Sequence, residues 1–266
     1  MSFWHIIELM FDPITLFAIA ATFVIAGGVK GVIGLGLPTI SLGLLTATLD
    51  LTTAMALLIA PSFVTNVYQA SSGGHVGVIL RRIWPFFLMT TATVWLGATA
   101  LTRVDKGVLT TLLGLLLVAY GGLNLAGIRL TIPRHSEGWT GPIFGAVNGI
   151  LTGMTGSFVV PGVMYLQSIG LSRDMLVQAM DMLFTGSTVA LAFALGTNAL
   201  LSAELGIASL LAVIPSLIGM WTGQSFRRSL SEEQFHSELF IAIFLLGIFI
   251  LVGAVIPFLM VLLRNF

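Results

Sequence analysis

The chain is 266 residues long, 57% hydrophobic and only 8% charged, with a mean hydropathy of +1.05. A soluble domain carries about 25% charged residues, so this composition excludes a soluble enzyme, a nucleic-acid binder and a disordered chain. Basic and acidic residues balance at 11 each and there is no Cys, so nothing points to a charged macromolecular partner, a disulfide, a thiolate nucleophile or a Cys metal site.

A membrane-crossing helix needs about 20 mostly apolar residues. In chain order the candidate spans are 14–36, 52–70, 83–101, 107–127, 141–169, 175–197, 203–222 and 239–262. The runs are long and uniformly apolar rather than alternating, which predicts helices and not a barrel. Residues 1–13 hold no Lys or Arg, so a cleavable signal peptide is not expected. Trp84, Trp139 and Trp221 sit near span ends, where interfacial anchors belong. Eight crossings would put Arg103, Lys106, Arg173, Arg227 and Arg228 on one side. Arg81, Arg82, Arg129, Arg134 and Arg264 would take the other. That tie leaves orientation unread.

Two segments depart from a plain span. Gly31, Gly34 and Gly36 precede Pro38 and a short apolar piece ending near Thr48; Gly149, Gly153 and Gly156 precede Pro161 and a piece ending near Ile169. Each predicts a helix broken near membrane depth, or a helix followed by a re-entrant piece. The backbone groups freed by such a break must face protein or a water-filled cavity. The two halves also resemble each other. The run from Val29 to Gly36 aligns with Val147 to Gly156, Thr65-Asn66 with Ser187-Thr188, and Gly97 through Val104-Asp105 to Leu109 with Gly223 through Leu230-Ser231 to Phe235. The spacing is about 120 residues throughout, as in a duplicated unit. The expected architecture is therefore all-α: a polytopic transmembrane bundle of about eight spans, built from two four-helix repeats, 1–130 and 131–266. Each repeat opens with a Gly/Pro-broken helix or re-entrant segment. Repeats with matching interruptions point to a transporter binding site. Four spans per half make the repeats parallel; five, with the short pieces crossing fully, make them inverted.

These residues resemble the TauE/SafE family of sulfite and organosulfonate exporters, also called TSUP. The resemblance rests on Lys30-Gly31-x-x-Gly34-x-Gly36 and on Gly149-x-x-x-Gly153-x-x-Gly156 followed by Pro161. A subgroup is closer, through the run Val29 to Thr39, Pro61-Ser62-x-Val64-Thr65-Asn66-Val67-x-Gln69, Tyr165-Leu166-Gln167, Leu176-Val177-Gln178-Ala179 and Phe184-Thr185-x-Ser187-Thr188. Many members carry three consecutive glycines where this chain has Gly36-Leu37-Pro38 and Gly156-Ser157-Phe158. The resemblance implies a permease in the bacterial cytoplasmic (inner) membrane that moves a small sulfur-containing anion outward, and it leaves the anion unnamed.

Two charges stand inside spans, Lys30 and Asp181. Intramembrane charges are costly and are functional-site candidates by default. Lys30 beside the first break makes an anion site, or else it snorkels to a nearby interface or pairs structurally with Asp181. Asp181 is either a proton-coupling carboxylate or a buried partner. With Gln178, Thr185 and Thr188 it forms a stripe within about 80° of one helix face. Asn66 and Gln69 can donate to oxyanion oxygens or serve as interhelical glue. Asn148 takes the place in the second half that Lys30 has in the first, which suits a single anion at the repeat interface. The substrate-binding set is thus Lys30, Gly31, Gly34, Gly36, Asn66, Gln69, Asn148, Gly153, Gly156, Tyr165, Gln167, Gln178, Thr185 and Thr188, with Asp181 as the proton-coupling candidate. The glycines serve equally as close-packing contacts, and Tyr165 and Gln167 as an interfacial Tyr and an exposed Gln. His5, His75, His135 and His236 are scattered, so neither a metal nor any other cofactor is expected. The expected partners are the small anion, the lipid bilayer and a second copy of the chain in a homodimer, with no nucleic acid. There is no P-loop, so a secondary transporter is the leading reading. The rivals are an anion channel, a permease for a non-sulfur organic anion, an accessory subunit and an intramembrane enzyme. The last lacks a second intramembrane Asp or His.

Overall fold

The computed structural model describes residues 12–128, 130–226 and 232–264. Residues 1–11, with His5, lie outside them, as do Arg129, Arg227, Arg228, Leu230 and Ser231 and the side chains of Phe235, His236 and Arg264. The described chain is all helical, with α1 at Pro13–Ile33, α2 at Leu37–Thr48, α3 at Leu51–Leu57, α4 at Ile59–Ser72, α5 at Val76–Ala98 and α6 at Lys106–Leu125. There follow α7 at Glu137–Thr155, α8 at Gly162–Ser168, α9 at Arg173–Thr197, α10 at Ala203–Leu211, α11 at Val213–Phe226 and α12 at Glu232–Arg264.

Among the described residues six helical stretches are long and apolar enough to cross a membrane, and a seventh arises if α3 and α4, which meet at 43°, count as one bent span. The difference from eight lies at 141–169. That segment divides into α7, whose five glycines and Asn148 dilute its hydropathy, and the short α8. Both expected breaks are present. Gly34 (φ 85°) and Gly36 (φ 107°) turn the chain from α1 into α2, and Gly156 (φ 72°) ends α7. These left-handed values suit glycine because a Cβ would crowd the carbonyl.

Small residues set the helix pairing. A Cβ on Gly145, Gly149 or Gly153 of α7 would meet, in turn, the carbonyls of Phe86, Thr90 and Val94 on α5. Partners that climb together mean parallel helices. α1 and α11 pair the same way, Gly27 and Gly31 against the carbonyls of Ser216 and Met220. By contrast α6 and α12 are antiparallel, with Gly114 at Leu251 and Gly121 at Phe240 and Phe244. α4 and α9 are antiparallel as well: the Gln178 amide donates to the Ala70 carbonyl at 2.6 Å and its Oε1 accepts from the His75 amide at 2.9 Å.

These registers place Arg173 at the same end of the bundle as Arg81 and Arg82, because Arg82 donates to the Ile169 carbonyl at the end of α8. The five-against-five tally of basic residues therefore does not hold. Arg81, Arg82, Arg134 and Arg173 share one end, and Arg103 and Lys106 take the other. Trp84, Trp139 and Trp221 are all exposed on the bundle surface.

Without a hydrophobic force between helices in lipid, close backbone approach carries their association. Gly153→Ala should therefore destabilise the bundle by about 1–3 kcal/mol through overpacking, read as a lower unfolding midpoint in mixed micelles. Gly206→Ala, where a Cβ meets nothing within 4 Å, should leave that midpoint unchanged or raise it.

Candidate functional site

Lys30 lies one turn before the first break, and α4 and α9 cross beside it. Its ammonium is 1% exposed; it donates to Asp181 Oδ1 at 2.8 Å and to Asn66 Oδ1. Three elements thus converge on one cation, the end of α1, the middle of α4 and the first third of α9. Asn66 stands six residues before the end of α4, and Asp181 eight residues into α9. At 1.5 Å per residue the pair sits about 10 Å below that end of the bundle, within the apolar stretch of α9. Of the two readings for Lys30 and Asp181, the geometry contains the paired one. The charges neutralise each other in a setting where either alone would be costly.

The triad is not saturated. Asp181 Oδ2 and Asn66 Nδ2 have no partner, and neither does the buried hydroxyl of Ser62, one turn before Asn66. On α9, Ser187 and Thr188 are buried with unpartnered hydroxyls. The polar faces of α4 and α9 therefore meet with donors and acceptors to spare, where each buried orphan costs about 1–3 kcal/mol.

The other expected residues divide. Gln69 donates to the Gly34 carbonyl at 2.9 Å and so repairs the first break. Asn148, fully buried on α7, accepts from the Gly162 amide at 2.8 Å and repairs the second, while its Nδ2 has no partner. Gln178 is spent on Ala70 and His75, and Thr185 on the Asp181 carbonyl within its own helix. Gly31 and Gly153 are close-packing contacts with α11 and α5. Gly34, Gly36 and Gly156 are the turning points. Gly34 lies against Gln69 and Val177, whereas Gly156 lies against Met55 and Leu42.

Tyr165 belongs to a different cluster. Its ring stacks on Phe86 at 4.6 Å, and its hydroxyl lies 3.5 Å from the Glu137 carbonyl. Gln167 is exposed. This cluster includes a feature the sequence reading missed. Arg82 holds Glu137 through both carboxylate oxygens, at 2.9 and 2.7 Å, and the Ile169 carbonyl at 2.5 Å. That fork clamps the starts of α5 and α7 to the end of α8. Arg82 and Glu137 each stand at a span start and read there as ordinary interfacial charges; no spacing rule pairs residues so far apart. Ser157, which stands in the Gly156-Ser157-Phe158 departure from three glycines, is buried in the second break with an unpartnered hydroxyl.

Removing one member of a buried ion pair strands the other, at a cost of about 3–5 kcal/mol. Lys30→Met alone and Asp181→Asn alone should each lower the unfolding midpoint more than the Lys30→Met/Asp181→Asn double variant does. Additive losses would mean that the pair is uncoupled.

The sequence of residues 19–260 matches the family model described as sulfite exporter TauE/SafE. No curated protein and no solved structure matches the chain. The match spans nearly the whole bundle, both breaks and the buried Lys30–Asn66–Asp181 triad included, and the chain belongs to the TauE/SafE sulfite exporter family of membrane transporters.

Proposed function

We propose that this protein is a secondary transporter that exports a small sulfur-containing anion, such as sulfite or an organosulfonate, across the bacterial cytoplasmic membrane. The observation that carries the reading is a lysine buried to 1% exposure at a helix break, locked by a carboxylate that can release it. The substrate class comes from the family.

The halves are read as inverted repeats. An axis lying in the membrane plane maps α1, α2, α3–α4, α5 and α6 onto α7, α8, α9, α10–α11 and α12. It requires equivalent helices to run antiparallel, as α4 and α9, and α6 and α12, do. It also requires the α1–α11 pairing to recur as α5–α7. This reading replaces four-span parallel repeats, in which equivalent helices would run the same way. It also favours an orientation. The end carrying Arg81, Arg82, Arg134 and Arg173 is the more basic and faces the cytoplasm. The Lys30 site then lies in the cytoplasmic half and the second break in the outer half.

The mechanism follows from charge. While Asp181 is ionised, its pair with Lys30 is neutral, and an incoming anion would bring net charge into a low-dielectric interior. A proton on Asp181 releases the ammonium to bind the anion, with Asn66 Nδ2 as a further donor. Proton and anion therefore occupy the site together. A dianion accompanied by one proton still carries one negative charge outward. An inside-negative potential favours that movement by about 2.3 kcal/mol per 100 mV. Rearrangement of the broken helices then opens the other side. A channel would need no such lock on an interior cation.

In reconstituted vesicles Lys30→Met should weaken sulfite binding by about 10–100-fold, the value of a charge-assisted hydrogen bond; unchanged affinity would remove Lys30 from the site. Because protonated Asp181 is the competent form, wild-type flux should rise as pH falls. Asp181→Asn, a fixed neutral side chain, should flatten that profile, and a retained pH dependence would reduce Asp181 to a structural partner. The chain has no Cys, so single cysteines report sidedness directly. Thr102→Cys should react with an impermeant maleimide in intact cells and Ser136→Cys should not; the reverse pattern inverts the orientation.

A further inference from the structure

We infer that the second break holds a separate, charge-free oxyanion site, built on Asn148 and Ser157, through which the anion passes after leaving Lys30. The inference rests on the transporter reading above and adds a second station to it.

The loop between α7 and α8 lies across one face of α7. Asn148 Oδ1 accepts from the Gly162 amide at its far end, at 2.8 Å, and the Thr152 hydroxyl donates to the Ser157 carbonyl at its near end, at 2.9 Å. The first leaves the amide N–H₂ of Asn148 over, and the second spends the Thr152 hydroxyl on a backbone carbonyl. Asn148 Nδ2 is fully buried with no partner, and the Ser157 hydroxyl, 2% exposed, has none either. Phe158 in the same loop meets Phe184 of α9 with ring centroids 5.7 Å apart. Ser187 and Thr188 follow Phe184 by three and four residues, on the same helix face. Both are buried with unpartnered hydroxyls.

This lining holds an amide N–H₂ and hydroxyls, with no carboxylate and no cation among the named side chains. The Asn148 oxygen is already bonded, so the unpartnered group of that amide is its donating N–H₂. Such a surface offers an amide N–H₂ and rotatable hydroxyls to the acceptor-rich oxygens of a sulfonate, sulfite or comparable oxyanion. It is also distinct in position from the Lys30 site. The first break lies against Gln69 and Val177, near the Arg82 end of the bundle. The second lies against Met55 of α3 and Leu42 of α2, just past Gly153, which packs on Ala98 at the opposite end of α5.

The second site lacks the full positive charge that Lys30 brings to an anion. The second site therefore holds the anion more weakly than Lys30 does. A strong charged site on one side and a weak neutral one on the other favour capture at the first and release from the second.

The test uses Asn148→Asp in the full chain. This variant keeps the oxygen that accepts from Gly162 and replaces only the donating N–H₂ with a second acceptor. Wild type in detergent should bind two radiolabelled sulfite ions per chain with unequal affinities. Asn148→Asp should retain only the tighter one, and its outward flux in vesicles should fall by about tenfold or more. Ser157→Ala, which removes one hydroxyl without disturbing the backbone, should weaken the looser site while sparing the tighter, and it decides the matter if Asn148→Asp fails to fold. A single sulfite per wild-type chain, or wild-type binding and flux in both variants, overturns the second site and leaves the transporter reading standing. Wild type that binds no sulfite and no sulfonate overturns the transporter reading itself.

Discussion

A backbone amide or carbonyl without a partner is costly in hydrocarbon, and both broken helices answer to that constraint. At the first break the Gly34 amide bonds back to Lys30, and the Gly34 carbonyl accepts from Gln69. At the second, Gly156 bonds back to Thr152, Thr155 and Thr152 serve the amide and carbonyl of Ser157, and Asn148 takes the Gly162 amide. Polar side chains must therefore gather around each break before any question of substrate arises. Once gathered, they bring more donors and acceptors than the breaks require. The surplus at Asn66, Asp181, Asn148 and Ser157 is what makes the interior chemically usable.

Charge then separates the two breaks. Lys30 and Asn148 would hold corresponding places on the proposed repeat reading, yet only Lys30 needs a counter-charge, and Asp181 supplies it from another helix. The ion pair thus does two things. It makes the bundle tolerable in lipid, and it ties α1 to α9, elements from opposite halves. A buried pair of this kind contributes little net stability but is expensive to half-remove, so it suits a contact that is exchanged whole, for a bound proton and anion, rather than broken.

Much of this was legible in the sequence. Hydropathy gave the spans, and the Gly34-x-Gly36 and Gly156 breaks stood where left-handed backbone is needed. Lys30 and Asp181 stood out because charge inside a span is rare. The breakdown came where the answer depends on which helices touch. Nothing local distinguishes a glycine that turns the chain, such as Gly34, from one that lets a neighbour's carbonyl approach, such as Gly31 or Gly153. Gln69 and Gln178 read alike as donors to an anion, yet both are spent on backbone groups. The segment 141–169 divides into α7 and α8 for a related reason: glycine and Asn148 lower its hydropathy on the face of α7 that packs on α5. The Arg82–Glu137 fork was invisible because helices distant in sequence bring it together.

The two hairpins are also fastened differently, and that bears on how binding could become movement. The end of α8 is held by the Arg82 fork, by the Tyr165 stack on Phe86 and by the Ile132 amide on the Ser168 carbonyl. None of these bonds involves the Lys30 site. At the end of α2, Asp50 instead caps α3 within its own segment, through the amides of Thr52 and Thr53. The polar ties that join the α1–α2 hairpin to the rest of the bundle at its tip are Gln69 on Gly34 and Lys30 on Asn66 and Asp181. Ligand exchange at Lys30 therefore alters the attachment of the first hairpin directly and leaves the anchor of the second untouched. On the inverted-repeat reading proposed above, that inequality gives the cycle a part that moves and a part that stays.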